Sequence, residues 1–303
     1  MSPASSCPRV SIALPVYNGA DSVASVIESV LAQTYPNLEL VISDNGSTDG
    51  TEEICREFAR RDARVVYQRH PTNVGLLNNF VSAAETATGT YLRWIGDEDS
   101  LEPDYVSRVM DVFAEDPRRV LVTTQIVYTD AEGVETSDFG YDASVLAAPD
   151  PAVRFDEMLR LLTTDFATLD PVYGTMRRDV ATMPRKNMLR EDQVFAARLA
   201  LAGPWGHVAA PLAYRIRHEG TASQLTGLLG VPAWRRHVRI LLQCREMSYW
   251  VGRSALAPDQ RRRARTAILR FYARGKQTKL RRGAAKLERM ARRPVDLSPS
   301  GAS

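Results

Sequence analysis

Three consecutive carboxylates, in Gly96-Asp97-Glu98-Asp99, follow directly on the strand-like stretch Tyr91-Leu-Arg-Trp-Ile95. At the end of a strand such a cluster repels itself unless a counter-charge joins it. A hard divalent cation, Mg²⁺ or Mn²⁺, held by one or two carboxylates together with phosphate oxygens, would relieve that repulsion. A solvated acidic turn that caps the helix after Pro103 is the bland alternative, and spacing alone does not separate the two. Two further stretches are rich in small polar groups: Ser43-Asp-Asn-Gly-Ser-Thr-Asp-Gly50 and Pro15-Val-Tyr-Asn18. Singly, each is ordinary turn chemistry leading into a helix. Three such stretches at three strand ends point instead to a ligand.

Hydrophobic periodicity supplies the strands and helices that place these stretches. Val10, Ile12, Leu14 and Val16 alternate as a strand does; Val23, Val26, Ile27, Val30 and Leu31 follow helical spacing behind Asp21, the expected cap. The alternation continues with strands at Leu38 to Ile42, Val65 to Gln68 and Tyr91 to Ile95, and helices at Asp49 to Arg60 and Leu76 to Thr86. This pattern predicts an α/β fold with a mainly parallel sheet flanked by helices, and ligands at the carboxyl ends of its strands. Beyond Pro103 a helix to Phe113 is expected, then a strand from Val120 to Val127 turning at Asp130-Ala-Glu-Gly133, and an exposed loop from Asp138 to Pro151. Arg154 to Leu162 reads as helix, Val172 to Met176 as extended, and Glu191 to Leu201 as a helix stopped by Gly203-Pro204. Gly227 to Pro232 reads as a linker.

The chain has 303 residues, 44% hydrophobic and 25% charged, a composition that excludes disordered and fibrous classes. Its net charge of +3 conceals a strong asymmetry: residues 1–231 carry 20 basic and 32 acidic side chains, and residues 232–293 carry 19 and 3. The basic part reads as two amphipathic helices separated near Pro258. On the second, Ala264, Ala267, Ile268, Phe271, Leu280, Ala284, Leu287 and Ala291 share a face; the residues from Pro294 read as frayed. Cys7, Cys55 and Cys244 are far apart and odd in number, which suggests neither disulfides nor zinc and fits a cytoplasmic setting. No apolar run reaches the ~18 residues of a spanning helix, and the N-terminus has no signal-peptide pattern.

In identity, order and spacing the motifs resemble the family 2 glycosyltransferases. They are Val10 to Asn18, Ser29 to Leu40, Ser43 to Thr51, Asn73-Val-Gly75, Ala87-Thr-Gly89, and Asp97-Glu-Asp99 with Leu101 and Pro103 after it. The resemblance covers roughly residues 9 to 220 and implies a GT-A fold. It further implies an inverting, metal-dependent transfer from a nucleoside diphosphate sugar to a hydroxyl on a glycan, a lipid-linked sugar or a small molecule. On this resemblance, Tyr17 stacks on the nucleotide base and Asp44 meets the edge of a pyrimidine. Pro15, Asn18, Asn45, Asn73, Gly75, Asp97 and Glu98 line the nucleotide-sugar site. Asp99 matches the metal-binding aspartate; its partner is Asp97 in DxD spacing, or Glu98 when Leu101 and Pro103 set the alignment.

Glu191-Asp192 looks like the family's ED motif, with the aspartate as catalytic base, although acids at a helix start also complement the macrodipole. Tyr214-Arg-Ile-Arg-His218 resembles the segment that follows it, which makes His218 a metal candidate and Arg215 and Arg217 diphosphate candidates. Arg177 is a candidate for the acceptor pocket, with a solvated arginine as its plain alternative. His70, His207 and His237 read as structural or surface residues.

The expected organisation is a catalytic domain over residues 1–231, with a nucleotide-sugar part at about 9–104 and an acceptor part at about 105–231, and a basic helical extension over 232–303. A nucleotidyltransferase would show a glycine- and basic-rich loop after the first strand, which Pro15 to Asn18 lacks. A silent carbohydrate- or membrane-binding protein is disfavoured by retention of both acidic motifs. For the tail, packing on the catalytic domain is preferred over contact with an anionic membrane. Nucleic acid is not expected, because no binding motif accompanies the charge.

Overall fold

The protein is represented by a computed structural model that describes residues 7–129, 135–139, 143–164, 171–216 and 226–291. In chain order the strands are β1 Val10–Val16, β2 Leu38–Asp44, β3 Val65–Arg69, β4 Tyr91–Trp94, β5 Ser100–Leu101, β6 Leu121–Thr129, β7 Glu135–Phe139, β8 Thr175–Arg177 and β9 Trp205–Ile216. The helices are α1 Val23–Leu31, α2 Thr51–Arg61, α3 Leu76–Thr86, α4 Tyr105–Glu115, α5 Pro151–Thr164, α6 Arg178–Ala181, α7 Glu191–Ala202, α8 Arg239–Arg253 and α9 Pro258–Ala291. Short 3₁₀ turns stand at Pro171–Tyr173 and Ala233–Arg236.

The strands form one sheet in the order β3-β2-β1-β4-β8-β6-β9-β5, with β7 on β6. Its first four strands are parallel, as the alternating pattern requires. The second half is mixed: β8 runs antiparallel to β4 and β6, while β9 runs parallel to β6. Every residue of β1 and β2 is buried, because helices cover both faces and leave no solvent side to a central strand. Ile12, Leu14, Leu40 and Ile42 pack with α1, α2 and α4 on one face. On the other, Trp94, Leu121, Met176 and Trp205 pack with α5 and α7 and with Met247, Val251, Ala264, Ala267, Ile268 and Phe271 of α8 and α9.

Several sequence expectations need correction. Asp21 does not cap α1; Ser22 holds the cap position without a side-chain bond, and the Ser22 and Val23 N–H groups donate to the Gly19 carbonyl at 3.1 and 2.9 Å. The stretch 138–151 is not simply an exposed loop. Phe139 ends a strand, and Leu146 is fully buried, with its carbonyl accepting the Trp205 N–H. Val172 to Met176 divides into a 3₁₀ turn and a short strand. The full length of β9 was hidden by Pro211, which sits at a register irregularity opposite Gln125 where the ladder bond is already lost. The turn expected at Asp130 to Gly133 and the tail beyond Pro294 lie outside the described residues. Among the described residues, no helix is long and apolar enough to cross a membrane.

Candidate functional site

Pro15 sets the mouth of the sheet. The Ala13 carbonyl accepts the Ile95 N–H at 2.9 Å, and Pro15, the next β1 residue facing β4, has no N–H to extend that ladder. The β1–β4 pairing ends at Ala13 and Trp94, and the chain turns away through Gly96 to Asp99.

The polar loops at the ends of β1 and β2 are stitched together. Asn18, in the left-handed region at φ 55°, accepts the Thr48 N–H on Oδ1 at 2.9 Å, and its own N–H donates to Ser47 Oγ at 2.9 Å. The Gly19 N–H donates to Thr51 Oγ1, and the Ala20 N–H to Asp49 Oδ2. Tyr17, one residue earlier, is left 45% exposed, a ring free to stack on a planar ligand. A third loop joins through Asn45, which accepts the Val74 N–H at 2.8 Å and donates to Asn73 Oδ1 at 3.1 Å. Asn73 Oδ1 also accepts the Gly75 N–H, and Gly75 opens α3 at φ 90°.

Asp44 is placed differently from the expectation of direct contact with a base edge. Its side chain is fully buried: Oδ1 accepts the Ser47 N–H at 2.8 Å, and Oδ2 accepts the Tyr67 hydroxyl at 2.7 Å and faces Arg69 Nε at 3.4 Å. Asp44 therefore shapes the loop from beneath. Burial, then the bond to Asp44, raises the Tyr67 phenol well above its usual range, so Tyr67 stays a donor. The sequence reading overlooked Tyr67, Arg69 and Asn79. Asn79 is buried in α3 and exchanges hydrogen bonds with Ser43 Oγ and its carbonyl, and a polar residue at a core-facing helical position was its available signal.

Within the acidic cluster the three side chains differ in burial. Glu98 is exposed; Asp97 is half-buried against Gly19, where an added Cβ would lie 3.3 Å from its Oδ2. Asp99 is buried, with Oδ2 accepting the Gly96 N–H at 2.8 Å and Oδ1 facing Arg215 Nε at 3.2 Å. This ion pair follows from the antiparallel pairing of β5 with β9, which sets Ser100 opposite Tyr214 and so brings Asp99 beside Arg215. The Arg215 guanidinium also stacks on Tyr173, 3.5 Å from the ring centre. Among the described residues, no three His, Cys, Asp or Glu side chains converge on a point that could hold a metal ion. A carboxylate offers about four lone-pair sites, so the two contacts on Asp99 leave it acceptor capacity. Hard oxygens from Asp97 and Asp99 suit Mg²⁺ or Mn²⁺, which take few protein ligands and complete their shell from phosphate and water.

The start of α7 is held over the end of β4 by a residue that the sequence reading did not single out. Arg185 makes a two-pronged pair with Glu191, through Nε to Oε1 at 2.8 Å and Nη2 to Oε2. Its guanidinium lies 5.5 Å from the Trp94 ring and 4.5 Å from Phe195. Glu191 is thereby engaged as an anchor, with Asp192 the next residue on the same first turn. Arg190 precedes the helix at φ 62°. The polar network extends to α8: Gln243, fully buried, donates to Gln193 Oε1 at 2.7 Å and accepts from Arg190 Nη1 at 3.5 Å. Lys186 pairs with Glu246 at 2.6 Å.

Arg177 does not join this group. It pairs with Tyr91 at the first residue of β4, the end of the sheet opposite the carboxylates, and donates to the Arg119 and Pro117 carbonyls. That placement keeps Arg177 away from an acceptor at the carboxylate mouth. Arg217 and His218 lie outside the described residues. His70 contacts Ser43 and His207 contacts Thr123, while Arg236 donates to His237. Burial of the His207 imidazole lowers its pKa.

The family model described as glycosyl transferase family 2 matches residues 11–182, more than half of the chain. The chain is 32% identical over 110 residues to a protein described as the putative teichuronic acid biosynthesis glycosyltransferase TuaG of Bacillus subtilis, covering 36% of this chain and 43% of that one. It is 35% identical over 127 residues to chondroitin synthase of Escherichia coli, covering 42% and 18%. The chain thus spans less than half the length of these relatives. Its fold is similar to that of S. aureus TarS 1-349 solved in complex with UDP-GlcNAc, with a TM-score of 0.63 at 17% identity over 87% of this chain and 72% of the other. A mannosyltransferase from Pyrobaculum calidifontis, solved with GDP-Man and Mn²⁺, aligns at a TM-score of 0.50 and 16% identity over 94% and 79%.

Proposed function

The chain belongs to the family 2 glycosyltransferases, and from that premise we propose that it moves a sugar from a nucleoside diphosphate sugar to an acceptor hydroxyl in one inverting displacement. The observation that carries the reading is the docking of the α7 start, with Glu191 and Asp192, over the strand that leads into Asp97 to Asp99, through Arg185 against Trp94 and Phe195. This docking supports a base and a leaving-group site at one mouth.

In this reading Tyr17 stacks on the nucleotide base, between loops fixed by Asn18, Asn45 and Asn73 and shaped by Asp44 and Gly75. Asp97 and Asp99 would hold the divalent cation, which when bound would offset charge on the diphosphate, while Glu98 faces solvent. Arg215 supplies positive charge to the departing diphosphate from beside Asp99. Asp192 accepts the proton of the acceptor hydroxyl, whose oxygen forms the new bond to the anomeric carbon as the bond to the diphosphate oxygen breaks and its electron pair leaves with the phosphate. A carboxylate at hydrogen-bond reach of about 3 Å suits that transfer. Attack opposite the leaving group inverts the anomeric centre. Glu191 is a positioning residue, its carboxylate committed to Arg185.

Thermal unfolding with a set of nucleoside diphosphates, with and without Mn²⁺, tests the donor assignment. A ligand at 100 times its Kd adds about 2.7 kcal/mol of apparent stability. At least one nucleoside diphosphate is expected to raise the transition temperature of the wild type and not of Tyr17→Ala. No response to any of them would contradict the reading.

A further inference from the structure

The outward surface of the last two helices has a composition of its own. Among the described residues, nine large apolar side chains are exposed, and five of them, Leu228, Trp234, Leu241, Tyr249 and Leu269, fall between residues 228 and 269. This is also the segment that carries the basic excess. On α8, Leu241, Arg245, Tyr249 and Arg253 are spaced by four residues and all are exposed, forming one stripe in which apolar and cationic side chains alternate. Arg253 lies over the Tyr249 ring at 5.4 Å, and Arg235 over Trp234 at 5.9 Å. On α9, Arg262, Arg265, Leu269 and Lys276 are exposed at helical spacing. Over residues 239–277 of these helices the two acids do not balance that face: Glu246 is turned inward to Lys186, and Asp259 pairs with Arg263.

We propose that this face is a docking surface for an anionic phospholipid bilayer. Tyr and Leu bodies enter the boundary between headgroups and acyl chains, while guanidinium groups stay on lipid phosphate. Arginine with tyrosine and tryptophan would also serve a nucleic acid, through charge and stacking. Leu241 and Leu269, 52% and 69% exposed, have nothing to gain there and much to gain in lipid. The charge asymmetry orients the approach, because the acidic first 231 residues are repelled by the surface that attracts the helices.

The inner face of α8 meets the start of α7 through Gln243 to Gln193, and Glu246 holds the preceding loop through Lys186. One helix thus has the bilayer on one side and the Asp192-bearing helix on the other, which makes the acceptor a lipid-carried hydroxyl. That last step rests on the proposed transfer reaction; the docking does not.

The test is flotation of the full chain with phosphatidylcholine vesicles, with and without phosphatidylglycerol, at physiological salt. Wild type is expected to float only with the acidic vesicles. Leu241→Ser with Tyr249→Ser, and separately Arg245→Gln with Arg253→Gln, each lower the bound fraction about tenfold. Leu241→Trp, expected to bind more tightly, guards against loss through misfolding. Wild type that fails to float, or floats unaffected by the Leu241 and Tyr249 changes, overturns the proposal. So does poly(U) RNA that displaces the vesicles while its own affinity ignores those two residues. Flotation without any donor-induced thermal shift would support docking and count against the transfer reading, and the converse result would do the reverse.

Discussion

Replacing Arg185 by Met tests how the Asp192-bearing helix is held. Arg185 is 5% exposed and Glu191 11%, and each prong of the pair is a charge-assisted hydrogen bond. Removing one partner of a pair this deep leaves the other charge without its counter-ion, which costs roughly 3–5 kcal/mol. Stacking on Phe195 and Trp94 adds about 0.5–2 kcal/mol to what Arg185 contributes. Glu191→Leu is expected to cost a similar 3–5 kcal/mol, while the double variant, which buries no unpaired charge, falls well short of the sum. Urea unfolding of all four proteins gives the coupling energy, predicted at about 2 kcal/mol or more. Donor affinity is expected to survive in Arg185→Met while kcat falls, since the start of α7 is what moves. Additive single effects within about 0.5 kcal/mol, or a kcat that does not change, would refute the reasoning.

Three further outcomes are expected. Gly46 (φ 75°) has space for a Cβ only 2.9 Å from the Thr72 carbonyl carbon, whereas Gly75 (φ 90°) has nothing within 4 Å. Both alanine variants bear about 1–3 kcal/mol of backbone strain, and Gly46→Ala adds a clash; equal unfolding energies would contradict this. Asp99→Ala is expected to reduce transfer about a hundredfold and to remove any Mn²⁺ dependence of donor binding, measured by calorimetry. Burial raises the Glu39 pKa, but bonds from Ser11 and Thr88 and the Arg9 charge outweigh it, so the folded value lies below the ordinary one. The unfolded chain then binds that proton more readily. Glu39 stabilises the fold fully above its ordinary value of about 4.3, and the contribution is lost as pH falls through the lower folded value. Acid unfolding of Glu39→Gln should therefore be less steep than that of wild type.

The parallel half of the sheet was legible because its signals are local. Each strand is a short apolar run, each helix follows at 3.6-residue spacing, and Pro, Asn, Asp and Gly stand at the turns. The carboxylate mouth was legible for the same reason, since Asp97 to Asp99 adjoin the strand that delivers them. What was not legible depends on pairings distant in sequence. The two-residue β5 has no pattern of its own, and only its pairing with β9 brings Arg215 to Asp99. Arg185 looked like a loop residue until Glu191, Trp94 and Phe195 enclosed it. Arg177 misled because strand direction, which residue type does not encode, decides at which end of the sheet a side chain emerges. Asp44 has the residue type expected of a ligand contact, yet Tyr67 and Arg69, more than twenty positions away, cover it.

The central claim, that a carboxylate at the start of α7 takes the acceptor proton, is tested most directly by Asp192→Asn. An amide keeps the shape and loses the basic oxygen. Transfer rate and donor affinity measured on the same preparation should show transfer reduced by about 10²–10⁴-fold, the usual contribution of general base catalysis, with donor affinity unchanged. Wild-type turnover by Asp192→Asn would contradict the account.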